Sequence, residues 1–137
     1  MKKAPLVLVV DDDRDIVDLL RFCLLGSGYL VATASNGIEA CEKGVKLKPG
    51  LIVMDLILPE INGFSLCEYF RNTPDTAKTP IIVLSGWVYD IAKPLSLESG
   101  ATDFVAKPFS PRELMTRVEK LLPLPDVQPI RLTPETA

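Results

Sequence analysis

The sequence predicts an open α/β fold, with one five-stranded parallel sheet in the order 2-1-3-4-5 and helices on both faces, the doubly wound arrangement. Short apolar runs alternate with segments of helical periodicity five times along the 137 residues. The runs are apolar almost throughout, which is typical of strands buried on both faces. Strands separated by helices are parallel, and right-handed crossovers leave few topologies, of which this order is the common one.

The first two strand-helix units occupy the first third of the chain. Residues 5–10 (PLVLVV) predict a strand, and apolar residues at helical intervals then continue to Gly28, which suits a helix C-terminus. Residues 29–34 (YLVATA) predict the second strand. Asn36 and, three residues later, Glu39 resemble a capping box, so a second helix is expected to begin there.

Three further units follow a Pro-Gly turn. Ser110, Pro111 and Glu113 supply an N-cap, a first-turn proline and a capping-box acid for the last helix. Pro94 interrupts the fourth helical segment and predicts a shortened or kinked helix. The predicted elements are strand 51–55, helix 64–72, strand 80–85, helix 90–99, strand 102–107 and a last helix ending near 122.

Composition excludes several classes of function. With 47% hydrophobic and 24% charged residues, residues 1–122 predict one folded domain, and residues 123–137, with four prolines, predict a linker or disordered tail. A net charge of -3 and the lack of a Lys/Arg cluster argue against direct nucleic-acid binding. No apolar run reaches the roughly 20 residues of a membrane span, and no signal peptide precedes the first acids, so we expect a cytoplasmic protein.

Cysteine and histidine usage narrows the chemistry further. Cys23, Cys41 and Cys67 are odd in number and widely spaced, which favours reduced core thiols over disulfides or metal ligands. The chain has no histidine, so histidine-based catalysis and the usual zinc sites are excluded.

Acidic residues stand at the ends of the first and third predicted strands. Asp11 and Asp12 follow the first strand and Asp55 ends the third. In such sheets ligands bind outside the carboxyl ends of the strands at the switch point, here between these two strands. Three carboxylates in one crevice repel each other by about a few kcal/mol per pair, which a divalent cation removes. Oxygen ligands without histidine or thiolate favour Mg²⁺.

The fourth and fifth predicted strands end in Ser85 and Lys107. A hydroxyl donor and a cation that face a metal-bound carboxylate match the oxygens of a transferring phosphoryl group. On this interpretation Asp55 is the nucleophile and becomes an acyl phosphate.

Four segments in this order carry a family resemblance: LVLVVDDD, LIVMDLILPEING, PIIVLSG and DFVAKPFSPREL. Residues 5–122 resemble a response-regulator receiver domain, the phosphoacceptor module of two-component signalling, which has a flavodoxin-like fold. The resemblance implies that Asp55 accepts a phosphoryl group from a phosphohistidine on a sensor histidine kinase or a histidine phosphotransfer protein. It also implies Mg²⁺ as the cofactor, held by Asp12 directly, by Asp11 through water, by Asp55 and by the backbone carbonyl of Ile57. Such a domain catalyses only its own phosphorylation and dephosphorylation.

The resemblance also assigns a switch. Ser85 would contact the phosphoryl group, and Lys107, before a cis Pro108, would pair with a phosphoryl oxygen. Phe104 stands at the place of the aromatic switch residue that turns inward with Ser85, although an ordinary core role is the alternative. The shift would remodel the face of the fourth helix, fifth strand and fifth helix, which would contact an output domain or a second copy.

Besides Pro94 in the fourth helix, three positions near the predicted site depart from the usual family pattern. Gly86 predicts a looser switch loop. Ile57, two residues after the acceptor, cannot position an attacking water by hydrogen bonding, which predicts slow self-dephosphorylation. Trp87 is interpreted either as a lid that slows the entry of water or as packing on a partner-binding face.

Three other functions fit the sequence less well. A Mg²⁺-dependent phosphohydrolase with an aspartyl nucleophile would carry a second acid where this chain has Ile57. A flavin- or nucleotide-binding module would need a phosphate-cradling loop after the first strand, where the sequence DDDRD repels phosphate instead. A pseudo-receiver that acts without phosphorylation is disfavoured because all the functional positions are filled.

Overall fold

Five parallel strands alternate with five helices in the computed structural model, which describes residues 4–125. The strands lie in the order β2-β1-β3-β4-β5, and every neighbouring pair is parallel. This confirms the predicted fold and strand order. The elements are β1 Leu6–Val10, α1 Arg14–Ser27, β2 Leu30–Ala34, α2 Gly37–Leu47, β3 Leu51–Asp55, α3 Gly63–Arg71, β4 Ile81–Ser85, α4 Tyr89–Glu98, β5 Asp103–Ala106 and α5 Pro111–Leu121.

The strands alternate their side chains between two hydrophobic layers, as the two-residue period of a strand requires. One layer lies under α2, α3 and α4, and the other lies under α1 and α5. The first layer contains the strand residues Leu8, Val10, Ile52, Met54, Ile81 and Val83, and the second contains Val7, Val9, Leu51, Val53, Ile82 and Leu84. Burial on both faces explains why these strands read as continuous apolar runs.

Four of the five helices begin with a side-chain cap. Asp13, Asn36, Asn62 and Ser110 each accept a hydrogen bond from a backbone N–H in the first turn of α1, α2, α3 and α5. Such a cap typically contributes about 1 kcal/mol to stability. The caps predicted at Asn36 and Ser110 are confirmed.

The helix α4 begins differently. Its cap position is Val88, whose side chain makes no capping hydrogen bond. Pro94 lies inside the helix, which nevertheless runs continuously to Glu98, so the predicted shortening is wrong, whereas the kink given as its alternative stays a prediction. The proline removes only one N–H donor, and the carbonyl left without it belongs to Asp90, an exposed residue that water can reach.

Arg71, the last residue of α3, joins two loops at the amino end of the sheet. Its Nε donates to the Gly100 carbonyl at 2.8 Å, and its Nη1 donates to the Thr79 carbonyl at 2.6 Å. Gly100 has a φ of +116°, and a Cβ there would lie 2.6 Å from Cγ of Arg71. Both the left-handed backbone and the close approach therefore require glycine at this position.

The cysteines are free thiols, as predicted. Cys67 is buried against Met54, and burial raises the pKa of its thiol to about 12. No helix within residues 4–125 is both long enough and apolar enough to cross a bilayer. Most of the predicted tail, residues 126–137, lies outside the described residues.

Candidate functional site

The carboxyl ends of the strands bring the predicted site residues to one edge of the sheet. Asp55 is the last residue of β3 and is level with Leu84 of β4. Ser85, the last residue of β4, is level with Ala106, which directly precedes Lys107. Parallel pairing therefore gathers side chains that are far apart in the sequence.

The three predicted acids form one cluster. Carboxylate oxygens of Asp11, Asp12 and Asp55 all lie within 4.8 Å of one another. Asp11 is 2% exposed and Asp55 is 9% exposed, whereas Asp12 is exposed to solvent. Oδ1 of Asp11 accepts a hydrogen bond from the Asp13 N–H at 2.9 Å, so the N-cap residue of α1 orients this carboxylate.

Lys107 connects the two buried acids. Its Nζ donates to Oδ2 of Asp11 at 3.0 Å and to Oδ2 of Asp55 at 2.9 Å. Burial by itself would lower the pKa of Lys107, but the hydrogen bonds with Asp55 and Asp11 raise it overall, so the amine stays charged. Burial raises the pKa of Asp11, against the lowering effect of the Asp13 N–H and of Lys107. The Lys107-Pro108 peptide is cis, as predicted.

The charges of the cluster are not balanced. Within residues 4–125, Lys107 is the single cation that forms an ion pair with any of the three acids, and it pairs with Asp11 and Asp55. The site also offers only oxygen donors, two of them on buried residues and one at the solvent boundary. An excess of negative charge on hard oxygen ligands fits a divalent cation such as Mg²⁺.

The remaining oxygen of Asp55 is held by its own loop. Oδ1 accepts a hydrogen bond from the Ile57 N–H at 3.2 Å, so one carboxylate contacts both a backbone donor and the Lys107 ammonium. The Ile57 side chain is 64% exposed and turns away from the core.

Ser85 is fully buried at the carboxyl end of β4. Its Oγ accepts a hydrogen bond from the Trp87 N–H at 3.1 Å. Because the oxygen is the acceptor in this contact, the hydroxyl proton remains available to a second group. Trp87 is 45% exposed at the surface of the same loop.

Phe104 lies in the core, 2% exposed, on the layer that contains α4. Its ring packs edge-on against Tyr89 at the start of α4, with 5.5 Å between ring centroids. The core position foreseen as the alternative for Phe104 is therefore occupied, and its role as a switch stays a prediction.

The sequence did not single out Phe64, which the fold places against Trp87 at a centroid distance of 6.0 Å. The one local signal was an aromatic residue directly after the Asn62-Gly63 helix start. Its partner is 23 residues later, so the pair becomes visible only in the folded chain.

Comparison with known proteins gives the family. Residues 7–119 match the response regulator receiver domain. The alkaline phosphatase synthesis transcriptional regulatory protein PhoP of Bacillus subtilis is 45% identical over 116 residues, which are 85% of this chain and 48% of that protein. The chain thus spans about half the length of the curated relatives that it matches.

Solved structures agree with this match. A response regulator of Chloroflexus aurantiacus is 39% identical, with a TM-score of 0.83 over 87% of this chain and 98% of that one. The receiver domain of the Pseudomonas aeruginosa sensor histidine kinase PA1611, described with a magnesium ion in its active site cleft, is 26% identical, with a TM-score of 0.80 over 86% of this chain and 97% of that one. This chain belongs to the response regulator receiver domain family of two-component signalling.

Proposed function

We propose that this receiver domain accepts a phosphoryl group on Asp55 from a phosphohistidine of a sensor histidine kinase or a histidine phosphotransfer protein. The observation that carries the proposal is the position of the Asp55 carboxylate, held between the Ile57 N–H and the Lys107 ammonium beside two further acids. We also place the reaction in the cytoplasm, where the three free thiols would stay reduced.

Each side chain has a defined task in the transfer. A carboxylate oxygen of Asp55 attacks phosphorus, the bond from phosphorus to the donor imidazole nitrogen breaks, and the electron pair returns to the imidazole. Lys107 moves from the carboxylates toward a phosphoryl oxygen and compensates its charge. The Ser85 hydroxyl donates its unused proton to another phosphoryl oxygen. The domain thereby modifies itself and does not turn over a separate substrate.

The acid cluster supports Mg²⁺ as the cofactor. Asp11, Asp12, Asp55 and the backbone carbonyl of Ile57 would hold the ion, because the cluster combines oxygen donors with uncompensated negative charge. When bound, Mg²⁺ supplies positive charge to the phosphoryl oxygens. The magnesium ion described for the PA1611 receiver domain supports the same assignment.

The output surface is assigned to α4, β5 and α5. The loop before α4 and the first turn of this helix expose four large apolar side chains, Trp87, Val88, Tyr89 and Ile91. Phosphorylation would shift Ser85, Phe104 and this helix start, and so change how the face binds an output domain or a second copy of the chain. Relatives about twice as long are named as transcriptional regulators, which supports an output domain as the partner.

Intact-mass measurement after incubation with acetyl phosphate and Mg²⁺ tests the proposal. We expect a gain of one phosphoryl group, about 80 Da, that requires Asp55 and is lost with EDTA. Asp55→Asn removes the acceptor, and Asp75→Asn is the matched control because Asp75 pairs with Lys48 at the opposite end of the sheet.

Two outcomes would contradict the proposal. Unchanged protein without released phosphate would favour a pseudo-receiver. Steady release of phosphate without an adduct would favour a phosphohydrolase.

A further inference from the structure

Two aromatic side chains connect the loops that follow β3 and β4. Phe64 is the second residue of α3, and Trp87 lies in the loop between β4 and α4. Their ring centroids are 6.0 Å apart and the planes are inclined by 47°. We call this pair the aromatic bridge.

The Phe64 side of the bridge is fixed to the acceptor strand. Gly63 donates its N–H to the carbonyl of Leu56, the residue after Asp55, at 2.8 Å. A Cβ at Gly63 would lie 2.5 Å from the Leu56 Cα, so only glycine allows this approach. Phe64 also packs against the hydrophobic layer under α2, α3 and α4.

The Trp87 side of the bridge is connected to the hydroxyl of the site. The Trp87 N–H donates to Ser85 Oγ at 3.1 Å, and the intervening residue is Gly86. Gly86 has no side chain to anchor the loop, and Val88 on the other side is 54% exposed. The contact with Phe64 therefore restrains Trp87 and, through its N–H, the Ser85 hydroxyl.

We infer that Phe64 and Trp87 are positioning residues, which hold Ser85 Oγ at the place where its proton reaches the phosphoryl group on Asp55. The inference rests on the proposed function. The bridge connects the loop that follows Asp55 to the loop that follows Ser85. It therefore fixes the distance between these two loops. Displacement of a catalytic group by about 1 Å can cost up to about 100-fold in rate.

The experiment follows the rate of adduct formation on Asp55 from acetyl phosphate and Mg²⁺ by intact mass. Phe64→Ala and Trp87→Ala each remove one ring, and Trp87→Ala retains the backbone N–H. We expect both to slow the reaction about tenfold, and Phe64→Tyr to restore it. Tyr69→Ala is the matched control, since Tyr69 lies on the same helix and contacts Phe70 instead.

A double-mutant cycle separates positioning from a general structural role. If the rings act through the Ser85 hydroxyl, Phe64→Ala has less than about a twofold further effect in a Ser85→Ala background. Trp87 is the only tryptophan in the sequence, so tryptophan fluorescence reports on this residue alone. We expect the emission maximum to shift in Phe64→Ala, which would show directly that the bridge is lost.

Three results are decisive against the inference. Full rates in both ring variants would overturn it, and so would an undiminished effect of Phe64→Ala in the Ser85→Ala background. If wild type forms no adduct, the proposed function fails, and the positioning role fails with it. An adduct on wild type with either of the first two results overturns only the positioning role.

Discussion

The two ends of the sheet each contain a cation that joins segments distant in the sequence, yet the two cations have different partners. Arg71 at the amino end donates to the backbone carbonyls of Gly100 and Thr79. Lys107 at the carboxyl end donates to the carboxylates of Asp11 and Asp55. The first set of partners is neutral and part of the backbone, whereas the second is charged and carried on side chains.

This difference indicates which end stabilises the fold and which end reacts. A backbone carbonyl cannot change its charge or turn toward another ligand, so the Arg71 contacts persist as long as the loops do. A carboxylate can exchange an ammonium for a metal ion or accept a phosphoryl group. Polar contacts of a partly buried cation therefore support stability at one end and chemistry at the other.

The largest effect is expected at the amino end. Arg71→Ala removes the two short charged hydrogen bonds and leaves the Gly100 and Thr79 carbonyls without this donor, which should lower the free energy of unfolding by about 3 kcal/mol. Urea unfolding measures the loss. Arg71→Lys should recover less than half, because an ammonium cannot reproduce the guanidinium fork. A fully stable Arg71→Ala protein would remove the contrast between the ends.

Lys107→Met should destabilise the protein less, by about 2 kcal/mol, while greatly slowing adduct formation. The methionine keeps most of the stem but leaves Asp11 and Asp55 without their cation. Since burial already raises the pKa of Asp11, proton uptake there limits the cost. Adding Asp55→Asn to Lys107→Met should return about half of the lost stability. If urea unfolding showed the double variant to be less stable than Lys107→Met, charge repulsion between the acids would not be the cause of the destabilisation.

Added Mg²⁺ should stabilise only through the carboxyl end. At roughly ten times its Kd, the ion raises the free energy of unfolding by about 1.4 kcal/mol. Thermal unfolding with and without Mg²⁺ measures the increment. Arg71→Ala should gain the same amount as wild type, whereas Asp12→Asn should gain little. An equal gain in Asp12→Asn would place the ion elsewhere.

The smallest effect is expected for a third cation, Arg117, whose pairs are exposed. Its Nη1 contacts Asp103 at 2.7 Å and its Nη2 contacts Glu113 at 3.2 Å, but the side chain is 36% exposed. Solvent screens such pairs, so Arg117→Ala should cost about 0.5 kcal/mol. This loss of unfolding free energy should be smaller still in high salt. If urea unfolding gave the same loss for Arg117→Ala as for Arg71→Ala, burial would not explain the different contributions of the three cations.

Most of the fold could be predicted from local patterns. Apolar runs, helical periodicity and the capping residues Asn36 and Ser110 depend on neighbours within a few positions, and they indicated all ten elements. The exception is Pro94, for which a local rule predicts a shortened helix. The rule accounts for the N–H that proline lacks, but not for the access of water to the Asp90 carbonyl, which makes the loss tolerable.

By itself the sequence determined that Asp11, Asp12, Asp55, Ser85 and Lys107 stand at strand ends, since strand ends are local features. Because the strands were expected to be parallel, the sequence also predicted that these five residues lie at the same edge of the sheet. Tertiary structure alone decided which groups from different units touch there: that Lys107 bonds to two acids, and that Phe64 reaches Trp87. Distances between side chains from different units depend on how the helices pack on the sheet, which no single segment of the sequence contains.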